Sequence, residues 1–167
     1  MNATSSTNDL AALQEKLKRV RICMFTTGDS AGQLSSHPMA LQDVAGDSCL
    51  WFFTAAHTNL ARDLPAHPAV NLSFADPSDS LYVSVSGRAE LLNDRARMAQ
   101  LWNPLVAAWF PEGLDDPQLR LVKVDPHAAE YWDSNSSRMV QLMKMAKAAL
   151  TGTPPTTEPG EHGKIAL

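Results

Sequence analysis

Two short polar groups hold the chain's best prospects for chemistry. The first is Ser35-Ser36-His37-Pro38-Met39, which sets hydroxyls and an imidazole on a proline-stiffened strand end. The second begins at Phe53-Thr54, where an apolar run closes, and continues at Thr58-Asn59, where a helix is expected to start. A helix start presents free N–H groups, and flanking hydroxyls add donors, so this pairing suits a phosphate. Trp102, Trp109 and Phe110 would supply flat apolar walls. Together these residues would suit a phosphorylated planar heterocycle. Each also has a plain structural reading, with Thr54 ending a strand, Thr58 capping a helix and the tryptophans filling core.

Other chemistries lack their residues. Gly28-Asp29-Ser30-Ala31-Gly32 has the Gly-x-Ser-x-Gly spacing but lies in the turn of an expected hairpin, not between a strand and a helix, and the chain has no His-Glu-x-x-His, Gly-x-Gly-x-x-Gly or Gly-x-x-x-x-Gly-Lys. Hydrolase-elbow, zinc-protease, dinucleotide-fold and P-loop readings therefore lose their support. The histidines, His37, His57, His67, His127 and His162, never fall three or four apart and none adjoins a cysteine, so no metal site is expected.

The elements that must position these residues follow from hydrophobic spacing. Leu10, Leu13, Leu17 and Val20 predict an amphipathic helix from about Asn8 to Val20. Arg21–Thr27 and Gln33–Leu41, joined by a Gly/Asp/Ser turn, predict a hairpin. After a second turn, Ala45–Ser48, the run Leu50–Ala55 is apolar on both faces and reads as a central strand. A short helix over Thr58–Ala66 and an alternating strand over Val70–Ala75 come next, then a strand over Leu81–Leu92 in which Gly87 is a natural bulge or corner. Asp94 to Trp109 reads as helical, with Met98, Leu101, Trp102 and Leu105 on one side and a break or kink at Pro104. Two last strands fit Leu119–Asp125 and Ala129–Asp133, and a helix fits Ser136–Leu150. About six short strands without regular βαβ alternation imply a small, mainly β, antiparallel barrel with α additions. Residues 1–150 are taken as one domain carrying a C-terminal helix, and 151–167 as a flexible tail.

Composition agrees with a single domain of 167 residues. With 14 basic against 18 acidic residues, a net charge of −4 and no concentrated basic patch, nucleic acid is not an expected partner. Cys23 and Cys49 lie in apolar stretches and read as small buried thiols in a reducing compartment. No run approaches the roughly 20 apolar residues that a membrane-spanning helix needs. The opening residues lack the pattern of a signal peptide, so a cytoplasmic location away from membranes is expected.

Several ordered blocks carry a resemblance: Ser36-His37-Pro38-Met39, Leu50-Trp51-Phe52-Phe53-Thr54, Val83-Ser84-Val85-Ser86-Gly87, Leu101-Trp102, Ala108 to Asp115, and Glu130-Tyr131-Trp132-Asp133-Ser134. The chain resembles the general stress protein subfamily of the pyridoxamine 5′-phosphate oxidase-like, FMN-binding split barrels. What the resemblance implies is a six-stranded split β-barrel that forms a homodimer, with flavin at the subunit interface. Ser36, His37, Pro38 and Met39 then lie along the isoalloxazine. Phe53, Thr54, Thr58, Asn59 and Leu60 hold ring edge and phosphate, and Trp102 and Trp109 border the cleft from the partner subunit. His37 stands where the family usually has arginine and Leu60 where it usually has lysine, which removes two positive charges from the phosphate's surroundings. Arg62, one turn into the helix, is the candidate substitute. The loss also makes room for FAD as an alternative to FMN.

The leading expectation is thus a flavin-binding stress protein, with oxidoreductase activity as its possible reaction; no catalytic acid or base is assigned. The alternative is a flavin carrier or sensor without turnover. A third reading makes the Met-rich segment from Arg138 to Lys147 a partner-binding helix.

Overall fold

The computed structural model describes residues 13–44 and 48–133 and the backbone of 161–166. The helix expected over Ser136–Leu150, the turn residues 45–47 and the first part of the N-terminal helix lie outside the described residues. Residues 13–19 are helical (α1). Strands β1 (Ile22–Gly28) and β2 (Leu34–Ala40) form the expected hairpin, paired from Ile22↔Ala40 to Gly28↔Leu34. β3 (Asp43–Val44) and β4 (Leu50–Ala55) follow, then α2 (Asn59–Asp63), β5 (Ala69–Asp76) and β6 (Leu81–Leu92). Next come α3 (Arg95–Leu101), α4 (Pro104–Trp109), a 3-10 turn at Gly113–Asp115, β7 (Leu119–Asp133) and β8 (Glu161–Ala166).

All pairings are antiparallel, in the order β2-β1-β5-β6-β7-β4-β3. The sheet closes on itself because β2 and β3 form one nearly continuous path. Leu41 N–H still reaches Arg21 on the β1 side at 2.7 Å, whereas the next residue, Gln42, donates to Trp51 on β4 at 2.9 Å. One chain path therefore pairs with β1 in its first half and β4 in its second, which gives the split six-stranded barrel.

Side-chain alternation decides which residues fill it. Cys23, Phe25 and Thr27 of β1, Val70, Leu72 and Phe74 of β5, and Leu81, Val83 and Val85 of β6 all turn inward. β4 is buried on both faces, as a central strand should be. Leu50 and Phe52 enter the barrel, where Phe52 meets Phe25 edge-on at 5.4 Å. Cys49, Trp51 and Phe53 enter a second cluster with Met98, Val106, Leu119 and Leu121, covered by α3 and α4.

Two expectations are corrected. The two final strands are one, Leu119–Asp133, running through Pro126. Pro126 lies where β7 changes its outer partner, since β4 pairs up to Val124 and β8 only from Ala128, so the missing N–H leaves no gap in that ladder. Pro104 gives the expected break and not a kink. It opens a new helix at the first position after the Asn103 cap, and this turns Leu105 out to 68% exposure, away from the face of Met98. Glu161–Ala166, expected within a flexible tail, pairs as β8 with Ala128–Asp133.

Candidate functional site

Among the described residues, β2 is hydrogen-bonded to a neighbouring strand through β1 alone, which leaves its second edge open along the segment that carries the first polar group. Proline fits such an edge, and Pro38 is exposed there. Because successive strand residues alternate in direction, the group divides between two faces. Ser36 and Pro38 turn outward beside Thr26 and Met24, and the Ser36 and Thr26 hydroxyls are 2.8 Å apart. His37 and Met39 turn toward the barrel: His37 is half-buried across from Phe25, with Nε2 3.4 Å from Ser35 Oγ, and Met39 packs on the barrel core.

The second group forms where β4, a strand that β2 approaches, passes into α2. Thr58 is the α2 cap: its Oγ1 donates to the Ala55 carbonyl at 2.9 Å and accepts from Ala61 N–H at 3.2 Å. A threonine hydroxyl has one proton, so the 3.2 Å contact between Thr54 and Thr58 requires Thr54 to donate. Thr54 is buried on the barrel side of β4, the side that His37 and Met39 also face. Arg62, exposed one turn on, donates to Asn59 Oδ1 and brings the guanidinium over the helix start.

Two of the expected site residues do other work. Leu60, at 2% exposure, is part of the barrel core with Leu64, because a helix two positions past its cap has turned toward the sheet; only its backbone remains near the helix start. Phe53 faces away from Thr54 and meets Trp102 edge-on at 5.9 Å and Phe110 at 6.5 Å, in the cluster beneath α3 and α4. Trp102 is correspondingly half-buried. Trp109, in contrast, is 82% exposed and Leu105 one helical turn before it 68%, an outward apolar stripe on α4.

Other polar groups were not singled out from the sequence. Asn71 Nδ2 on β5 donates to Ser84 and Ser86 on β6, and Ser73 donates to Asn71, which forms a hydroxyl and amide network on the outer face of the sheet beside Thr26 and Ser36. The alternation of Asn71 and Ser73 with valine and leucine is the signal that carries it. Thr27 Oγ1, inside the barrel, is buried without a hydrogen-bond partner. A cleft of about 230 Å³ lined by Leu17, Lys18, Arg21, Leu41, Gln42 and Asp43 contains none of the expected residues.

The Cys23 thiol is pushed up to about 12 by burial, which keeps it protonated and unreactive. Among the described residues, no group of three histidine, cysteine, aspartate or glutamate side chains could hold a metal, and no helix is long and apolar enough to cross a membrane.

Residues 8–156 match the family model described as pyridoxamine 5′-phosphate oxidase like. Protein bli-3 of Neurospora crassa is 30% identical over 159 residues, covering 89% of this chain and 75% of that protein. A solved structure from Jannaschia, provisionally assigned as a general stress protein 26, is 30% identical with a TM-score of 0.72 and covers 96% of this chain and 99% of its own. The general stress FMN/FAD binding protein of Xanthomonas citri is 31% identical with a TM-score of 0.67, covering 80% of this chain and 94% of that one.

Proposed function

From the premise that the chain belongs to the pyridoxamine 5′-phosphate oxidase-like family, we propose that it binds a flavin mononucleotide between the open edge of β2 and the start of α2. The observation that carries this reading is the convergence of Thr54, Thr58, Asn59 and Arg62 at one helix start, at the end of a strand, β4, that β2 approaches. The likeness to an FMN/FAD binding protein supports it. The donor set fits a phosphorylated flavin: first-turn N–H groups and the Arg62 guanidinium face an anion, and the β2 backbone with Ser36 and His37 offers polar contacts to a ring edge. When bound, the flavin supplies electron or hydride transfer. Thr58 holds the helix start in place, and Thr54 fixes the orientation of the Thr58 hydroxyl. Arg62 stands in for the cations that His37 and Leu60 have replaced. FAD, with its second phosphate, is accommodated by the same donors if the adenosine extends past the open strand edge.

The exposed stripe of Leu105 and Trp109 and the outward Ile22, Met24 and Tyr82 suit a surface covered by a second copy of the chain, so the assembly is proposed as a homodimer that completes the flavin cleft. The buried Cys23 and Cys49 suit a reducing, cytoplasmic setting. The reaction is proposed as a flavin-dependent oxidoreduction in the response to stress. The reading as a carrier or sensor without turnover is favoured by one feature: His37 is the one titratable side chain on β2, where an acid or base would meet the ring.

The deciding experiment titrates the purified chain with FMN and FAD and follows flavin absorbance and fluorescence. Saturable binding of either is expected, and failure of both to bind overturns the reading. Steady oxidation of NADH or NADPH by the flavin-loaded protein then separates the oxidoreductase from the carrier.

A further inference from the structure

We infer that Gln42 and Asp43, just past the β2 segment, act as positioning residues that latch α3 and α4 to the barrel and so set where Trp109 stands. The inference rests on the flavin-site reading above, because it concerns how one wall of that site is held. Neither residue belongs to the expected binding set; both act through the helices.

The latch has two ties. Asn103 Nδ2 donates to Gln42 Oε1 at 2.8 Å and to Leu101 O at 3.0 Å, while Asn103 Oδ1 accepts from the N–H groups of Leu105 at 3.0 Å and Val106 at 3.2 Å. The same side chain thus starts α4 and anchors it to the strand. Neither amide can be turned over. Gln42 Nε2 is committed to the Ala40 carbonyl at 2.9 Å, so its oxygen must face Asn103, and the Asn103 oxygen is committed to two backbone donors, so its nitrogen must face Gln42. The second tie joins Asp43 Oδ2 to Arg97 Nη2 at 3.4 Å, with the guanidinium lying 4.7 Å over the Trp51 ring and also donating to Gln100 at 3.0 Å.

The two ties reach the start of α3 and the α3–α4 junction, since Arg97 is in the first turn of α3 and Asn103 caps α4. Two separated attachments fix both position and angle, which one contact cannot do. They start three residues beyond Met39, so any movement of β2 is transmitted to α4, and the Phe53–Trp102 contact carries the same helices against β4. A wall that bears an exposed tryptophan at its end needs such anchoring, because site geometry is lost when supporting residues are left slack.

The test uses the full chain labelled with 5-fluorotryptophan, whose four tryptophans give four fluorine signals, assigned by single Trp→Phe variants. In the double variant Gln42→Ala, Asp43→Ala, the Trp102 and Trp109 signals are expected to shift or broaden while Trp132, at the far end of β7, stays put. FMN affinity is expected to weaken about tenfold in Gln42→Ala and to return in Gln42→Glu, which keeps the acceptor that Asn103 uses. Unchanged Trp102 and Trp109 signals overturn the latch whether or not flavin binds. Shifted signals with undiminished FMN affinity overturn its bearing on the site. Should the unsubstituted chain bind no FMN, the flavin reading falls, and the fluorine spectra still decide the latch.

Discussion

Gly87 and Pro126 face each other across β6 and β7 at the point where the pairing register shifts by one residue, with His127 the extra residue on β7. This bulge reverses the alternation of β7. Before it, the even positions Val122 and Val124 fill the barrel and Leu121 faces the α3–α4 cluster; after it, the odd positions Ala129 and Tyr131 turn inward. A Cβ on residue 87 would lie 2.6 Å from the Asp125 carbonyl oxygen and 2.9 Å from Val124 Cγ1.

Gly87→Ala is therefore expected to force the two longest strands apart at the bulge and to cost about 1–3 kcal/mol. In a domain of this size that lowers Tm by roughly 3–10 °C in a thermal melt followed by circular dichroism. An unchanged Tm would mean that the approach at Asp125 relaxes freely.

At the start of α2, the Thr58 hydroxyl both caps the helix and receives the Thr54 proton. Thr58→Ala should destabilise the chain by about 1 kcal/mol and weaken flavin binding, whereas Thr58→Ser should keep most of both. Chemical denaturation and an FMN titration of the two variants check this, and equal behaviour of Ala and Ser would remove the hydroxyl from the account.

Much of this arrangement is written in residue periodicity. The alternation in β1, β5 and β6, the doubly apolar β4, the Thr58 cap and the corner at Gly87 are local patterns, and local patterns survive into the fold. Long-range geometry is where legibility ends. Pro126 looks like a strand break unless one knows that β4 and β8 share the β7 edge and leave a gap there. Phe53 and Thr54 are adjacent in sequence but serve different layers, and a strand apolar on both faces does not announce which layer is which. Leu60 enters the expected site through the family resemblance alone, yet the helical turn rotates it into the barrel. The Gln42–Asn103 tie spans 61 residues and leaves no short-range signal at all.

Burial raises the Cys23 pKa from 9.0 to about 12, which has a consequence for alkaline stability. The unfolded chain ionises this thiol first, so its contribution to stability is fully present below about pH 9 and is lost as pH rises toward 12. Urea midpoints measured at pH 8 and pH 10.5 should therefore fall less in Cys23→Ala than in the native chain. An equal fall in the two proteins would remove Cys23 as a source of alkaline sensitivity.

The two exchanged cation positions make opposite predictions, because one side chain lies at the surface of the site and the other in the core. His37 is half-buried on an open strand, so His37→Arg places a guanidinium where it can meet a phosphate or a ring oxygen. A charge-assisted hydrogen bond contributes about 1.5–3 kcal/mol, so FMN should bind tenfold or more tightly, with a steeper loss of affinity as salt is added. Leu60 is 2% exposed within the barrel core. Leu60→Lys removes a packed leucine, at roughly 2–5 kcal/mol, and adds the desolvation of an ammonium group, so it should lower Tm before it improves any flavin contact. Flavin titration and thermal melts of both variants separate the cases. A stable Leu60→Lys that binds FMN more tightly would mean that the α2 start lies nearer the site than its packing indicates, with the lysine reaching out along the helix.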